Sequence, residues 1–229
     1  GTKRLTFSST GLSSDTQDFT LTFGAANQLA FTTPSSTVND TVFATQPIVT
    51  IQDQDGNTVT DSTATVTLSS STATIGGTVS MNATAGVANF SGNGVKLTGA
   101  TGTKSLTATI AGGIFKTNNI TITYGAAYQL ALTRQAAGAT NGVAFTTQPQ
   151  VTVQDISGNT VTNSTATITV ESSGSVLSGN SSAPTLSNGV ATFSGLKLTG
   201  AKGTYTITYK STGLVEVPQP ITVGFGAAT

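Results

Sequence analysis

The chain has no cysteine, no histidine and no tryptophan, and a single methionine. Without cysteine there is no disulfide staple and no thiolate to act as nucleophile or metal ligand, so packing alone has to hold the fold. Without histidine, the abundant serine and threonine hydroxyls lack the base that usually activates them. Charge is also scarce. Charged residues make up 8% of the chain, nine basic and nine acidic, with no cluster of either sign. This argues against nucleic acid and anionic membrane as partners, because both are bound by basic patches that displace counterions. No apolar run reaches the length of a membrane span, and the first residues lack the charged-then-apolar form of a signal peptide. The chain is expected to be an internal piece of a longer product.

What is present is repetition. Threonine fills about one position in five, far above ordinary usage. The run from Gly1 (GTKRLTF) returns at Gly102 (GTKSLTA) and at Gly203 (GTYTITY), 101 residues apart each time. Each copy closes on Gly-Ala-Ala, at Gly24, Gly125 and Gly226. A fixed period decides the architecture before any other feature. It divides the chain into residues 1–24, a partial unit with only its last two strands; 25–125 and 126–226, two full units; and 227–229, the start of another copy. A unit of this size buries its own core. Residues 1–24 are expected to be the stub of a unit cut from a longer protein, since a lone hairpin is marginal in water.

Within each unit apolar and polar residues alternate with period two, the mark of half-buried strands. Val49 and Ile51 share a face, as do Ala64, Val66 and Leu68, then Val95 and Leu97 with Lys96 outward, then Leu106, Ala108 and Ile110, then Ile120, Ile122 and Tyr124. In the second unit Val151, Val153, Ala166, Ile168 and Val170 keep the inward positions apolar, while outward Ile48 becomes Gln150. Threonine suits the outward sites, because its branched Cβ favours extended backbone and its hydroxyl meets water. Asp53–Asn57, Asp155–Asn159 and Asn188-Gly189 are turn signals. No helical period appears. The expected fold is all-β: tandem sandwiches of about seven strands each, in an extended rod with a short joint at Tyr124–Tyr128.

Three stretches of the first unit carry a resemblance: Gln46–Thr60 (QPIVTIQDQDGNTVT), Gly86–Phe90 (GVANF) and the run from Gly102. Their counterparts are Gln148–Thr162, Gly189–Phe193 and the run from Gly203. Together they resemble the bacterial immunoglobulin-like (invasin-type) repeats of large cell-surface and surface-layer proteins. The resemblance covers essentially the whole chain. It implies an immunoglobulin-like fold, extracellular display and a structural role, and it brings no catalytic residues. Such repeats need no disulfide, so the missing cysteine agrees with an extracellular, cell-surface location.

Four residues, Asp53, Asp55, Asn57 and Asp61, are the candidate metal ligands, an oxygen set of the kind Ca²⁺ takes. The spacing is not that of an EF-hand, and the second unit keeps only Asp155, with Ser157 and Asn163 replacing two carboxylates. The favoured alternative is a hairpin turn in which Asp and Asn bond their own backbone. Lys96 and Lys197 raise a Lys–Asn isopeptide crosslink, but alternation turns them outward. The sequons at Asn39, Asn82, Asn89, Asn119, Asn163 and Asn180 are weak signals in a chain so rich in Ser and Thr. Tyr124, Tyr128, Tyr205 and Tyr209 read as packing rather than as a sugar platform.

The sequence thus reads as a non-enzymatic structural segment of a surface filament, sheath or surface layer. No cofactor is expected beyond Ca²⁺ at the Asp53 turn. The expected partners are identical chains or neighbouring repeats, with cell-envelope polysaccharide as a further class. A stalk of a large adhesin is the main alternative, and a carbohydrate-binding module the weaker one.

Overall fold

A computed structural model describes residues 1–181 and 186–225. The third Gly-Ala-Ala, at Gly226, and residues 227–229 lie outside the described residues. The described chain is all-β, with no helix among those residues. Its strands are β1 (Thr2–Phe7), β2 (Asp15–Thr20), β3 (Gln28–Thr32), β4 (Ser36–Val38), β5 (Ile48–Gln52), β6 (Thr65–Ser69) and β7 (Thr74–Gly76). Next come β8 (Ser80–Asn82), β9 (Val87–Asn89), β10 (Lys96–Thr98), β11 (Gly102–Thr109), β12 (Phe115–Thr123), β13 (Gln129–Arg134) and β14 (Gln150–Gln154). The last are β15 (Thr169–Ser172), β16 (Val176–Ser178), β17 (Val190–Thr192), β18 (Lys197–Thr199), β19 (Gly203–Lys210) and β20 (Val217–Val223).

The chain forms two compact units. The first is Gly1–Ser35, Val42–Lys96 and Thr103–Ile120; the second is Ser36–Thr41, Leu97–Gly102 and Thr121–Thr229. In the first unit β3, β5 and β9 make one antiparallel sheet, with Val49 opposite Phe31 on one side and Ala88 on the other. A second sheet runs β12-β11-β6-β8. Val49, Ile51, Val66, Phe90, Val95, Leu106, Ala108 and Ile120 have no exposed surface. Each of the buried Val, Ile, Leu and Phe side chains stabilises the fold by about 1.5–3 kcal/mol. The Thr between them stay at the surface, as in β6, where Thr65 and Thr67 flank buried Val66 and Leu68. Hairpin β1–β2 pairs in continuous register from Thr2–Thr20 to Phe7–Asp15, with every residue exposed.

In the second unit β13-β14-β17 and β15-β19-β20 form the two sheets, and β16 pairs with β18. They enclose one core that includes Val151, Val153, Ile168, Ala191, Phe193, Leu196, Leu198, Ile207 and Tyr209. Phe193 and Tyr209 meet with ring centroids 5.5 Å apart. The Tyr209 hydroxyl donates to Gln219 Oε1 at 3.3 Å. The Gln219 amide in turn bonds both backbone groups of Ala136, accepting from N–H at 3.0 Å and donating to C=O at 2.7 Å. A buried amide therefore has partners at both ends, as burial demands. Tyr209 has its pKa raised by that burial. The second unit also holds Ser36–Val38 (β4), which pairs parallel with Thr121–Thr123 at the end of β12.

Candidate functional site at the repeat joint

The candidate calcium residues build a turn. Asp53 Oδ1 accepts the backbone N–H groups of Asp55 (3.0 Å) and Asn57 (2.9 Å), and the Asp53 N–H donates to Asn57 C=O at 2.9 Å. Gly56 supplies the left-handed residue that closes the turn, at φ 84°. The Asn57 side-chain amide reaches both carboxylate oxygens, at 3.2 and 3.0 Å. Oδ2 accepts the N–H of Gly24 at 2.8 Å. The Gly24 bond and the Asn57 amide together hold the Asp53 pKa down, to about 2. Asp55, Asn57 and Asp61 are exposed. Among the described residues no group of three or more His, Cys, Asp or Glu gathers as a metal site would. The sequence-predicted set is thus brought together in part: Asp53 and Asn57 bond each other, Asp55 contributes backbone, and Asp61 lies on the next turn.

The same turn recurs at Asp155, all of it inside the second unit. Oδ1 accepts the N–H groups of Ser157 and Asn159, both at 2.9 Å, and Oδ2 accepts the Gly125 N–H at 2.8 Å. The Asn159 amide reaches both oxygens, at 3.1 and 2.9 Å. Here further donors arrive. Asn39 Nδ2 donates to Asp155 Oδ2 at 2.8 Å and to Ser157 Oγ at 2.9 Å. Asn39 Oδ1 is held by the Gly99 N–H at 2.9 Å, and the Asn39 N–H is anchored on Thr123 C=O at 2.9 Å. Asn159 donates to Gly99 C=O at 3.0 Å and accepts the Thr101 N–H at 2.8 Å. Asn39, Asp155 and Asn159 are all buried, at 3%, 1% and 9% exposure.

In this node a carboxylate is held by neutral N–H donors. Burial pushes the Asp155 pKa up, but bonds from Asn159, Gly125 and Asn39 outweigh it and bring it below the usual value. Gly125 is fixed by space: a Cβ there would stand 2.8 Å from Asn39 C=O, closer than real Cβ atoms come. At Gly24 the nearest atom to such a Cβ is Asp53 Cβ, at an ordinary 3.5 Å. The node holds backbone segments in place.

Sequence reasoning missed Asn39, Gly99 and Thr101. Asn39 was noticed only as a sequon, yet its amide nitrogen is fully engaged with Asp155 and Ser157. The available signal was the period itself, because Asn39 returns as Asn141 at the interval by which Asp53 returns as Asp155. Of the tyrosines, Tyr209 is core and Tyr124 packs against the core of the second unit. The Tyr205 hydroxyl donates to Ala201 C=O at 2.6 Å, and Tyr128 is 46% exposed.

No family model matches the chain, and no curated protein matches it. Solved structures do. A beta-glycosidase from Bacteroides vulgatus is 16% identical over 87% of this chain and 25% of its own, with a TM-score of 0.34. The adhesin InvE of Yersinia pseudotuberculosis is 19% identical over 86% of this chain and 60% of its own, with a TM-score of 0.35. Domains 4 and 5 of the S-layer protein SbsC are 19% identical over 87% of this chain and 99% of their own, with a TM-score of 0.31. The chain thus spans about a quarter of the glycosidase and under two thirds of the adhesin. No helix among the described residues is long and apolar enough to cross a membrane.

Proposed function

We propose that this chain is a structural segment of an exported cell-surface protein, a tandem array of immunoglobulin-like β-sandwiches that builds a filament, sheath or surface layer. The observation that carries the reading is the node at Asp155. It spends its buried polar groups on holding segments of one sequence repeat, at Asn39 and Gly99–Thr101, against the Asp155 turn of the next. The reading is of a non-enzymatic role, and it is supported by the most elaborate polar site described being occupied by structural bonds. A surface low in charge and rich in threonine suits a protein that is displayed in bulk and has to avoid electrostatic capture of unrelated molecules.

Electron microscopy of the native material, with sedimentation of the purified chain over a range of concentrations, tests the reading. An ordered array or filament and concentration-dependent association are expected. Isolated particles in the native material and a monomer at every concentration would remove assembly and leave a stalk.

A further inference from the structure

The second repeat carries the Asn39 half of the node over again. Asn141 stands where Asn39 stood, and Gly200, Lys202 and Phe225 stand where Gly99, Thr101 and Tyr124 stood. The frame is already set. The Gly200 N–H donates to Asn141 Oδ1 at 3.0 Å, as Gly99 does to Asn39 at 2.9 Å. The Gly142 N–H donates to Leu198 C=O at 2.9 Å, as Asp40 does to Leu97 at 3.0 Å. The Asn141 N–H reaches Gly224 C=O at 3.4 Å, the counterpart of the Asn39 bond to Thr123. With its oxygen fixed in this way, the Asn141 amide presents Nδ2, the atom that in Asn39 donates to a carboxylate.

Two features set this face apart from its counterpart. Asn141 is exposed where Asn39 is 3% exposed. Phe225 is 77% exposed, whereas its counterpart Tyr124 packs against the core of the second unit. The Lys202 ammonium lies 4.5 Å from the centroid of the Phe225 ring.

We infer that Asn141, Gly200, Lys202 and Phe225 form a docking face for an Asp-x-Ser-Gly-Asn turn carried by a further repeat continuing the same chain. The carboxylate of that turn accepts Asn141 Nδ2, its Asn bonds Gly200 C=O and the Lys202 N–H, and its sandwich covers Phe225. Lys202, in place of Thr101, adds a charge attraction that the first node lacks. The inference rests on the tandem-array reading but not on assembly between chains, so a chain that never polymerises leaves it standing.

The test extends the full chain after Thr229 with a second copy of residues 129–225, which brings its own Asp155-type turn. The chain has no tryptophan, so Phe225→Trp gives a single reporter. Extension is expected to shift the indole emission to the blue and to reduce acrylamide quenching several-fold relative to the 229-residue chain. Asn141→Asp keeps the acceptor for Gly200 but sets a second carboxylate against the incoming one. It is expected to reverse the blue shift in the extended chain and to change nothing in the shorter one. An indole that stays red-shifted and quenchable after extension overturns the inference, and so does a blue shift that survives Asn141→Asp.

Discussion

The turns at Asp53 and Asp155 are the same local object in different surroundings. Each has a carboxylate capping two backbone N–H groups, an Asn four residues on that reaches both of its oxygens, and a Gly N–H from the preceding segment on Oδ2. Only the second receives Asn39, and Asn159 is buried where Asn57 is exposed. The turn is therefore complete without the node. A short sequence builds an autonomous anchor, and a distant segment then uses the acceptor capacity that remains.

Removing the carboxylates breaks the comparison most strongly. Asp155→Ala strips the acceptor from Gly125, Ser157, Asn159 and Asn39 together in a buried place, and is expected to cost about 3 kcal/mol or more in urea melts. Asp53→Ala is expected to cost less, because Asn57 and its neighbours turn to water. Equal losses would mean that the outer donors add nothing.

Glycine replacement comes next. Gly125→Ala forces a Cβ onto Asn39 C=O and is expected to lower stability by about 1–3 kcal/mol. Gly24→Ala meets only ordinary contacts and is expected to stay within about 0.5 kcal/mol of the parent. Thermal melts of the two variants side by side decide it.

Asn39→Ala leaves one carboxylate contact and the Gly99 N–H without their partner. The expected loss is about 1–2 kcal/mol. Asn141→Ala in the same chain is expected to stay within about 0.5 kcal/mol, because that residue is exposed.

Acid sharpens the comparison further. Both carboxylates have folded pKa values below the ordinary 3.8, Asp53 at about 2. A depressed carboxylate stabilises the fold fully above its unfolded pKa, and the contribution is lost as pH falls through the folded value. Stability is therefore expected to decline between about pH 4 and about pH 2. Asp53→Asn is expected to flatten part of that decline, as read from melting temperature against pH.

Calcium gives the smallest effect. Asp53 already accepts from backbone and side-chain N–H groups, so a cation has to displace them. Adding Ca²⁺ or a chelator is expected to leave the melting temperature unchanged; a clear rise with Ca²⁺ would restore the oxygen set at Asp53, Asp55, Asn57 and Asp61 as a site.

Much of the fold was legible because alternation is local. Val49, Ile51, Leu106 and Ile122 were assigned inward by their spacing alone, and all are buried. The Asp53 and Asp155 turns were legible for the same reason, since the bonds from each carboxylate to the residues that follow it lie within four residues. The node was not legible. Asn39 and Asp155 lie 116 residues apart, and neither has a neighbour in sequence that announces the other.

The sequence by itself determined that this protein is made of repeated strands with defined inner and outer sides, and that each repeat contains a tight Asp-led turn. Those properties come from side-chain hydrophobicity and backbone preference acting between residues close in the chain. Only the tertiary structure decided that the acidic turn is an acceptor for Asn39 and that Gly125 has no room for a side chain. A hydrogen bond needs its partners within about 3 Å, and only packing sets such a distance between residues so far apart along the chain.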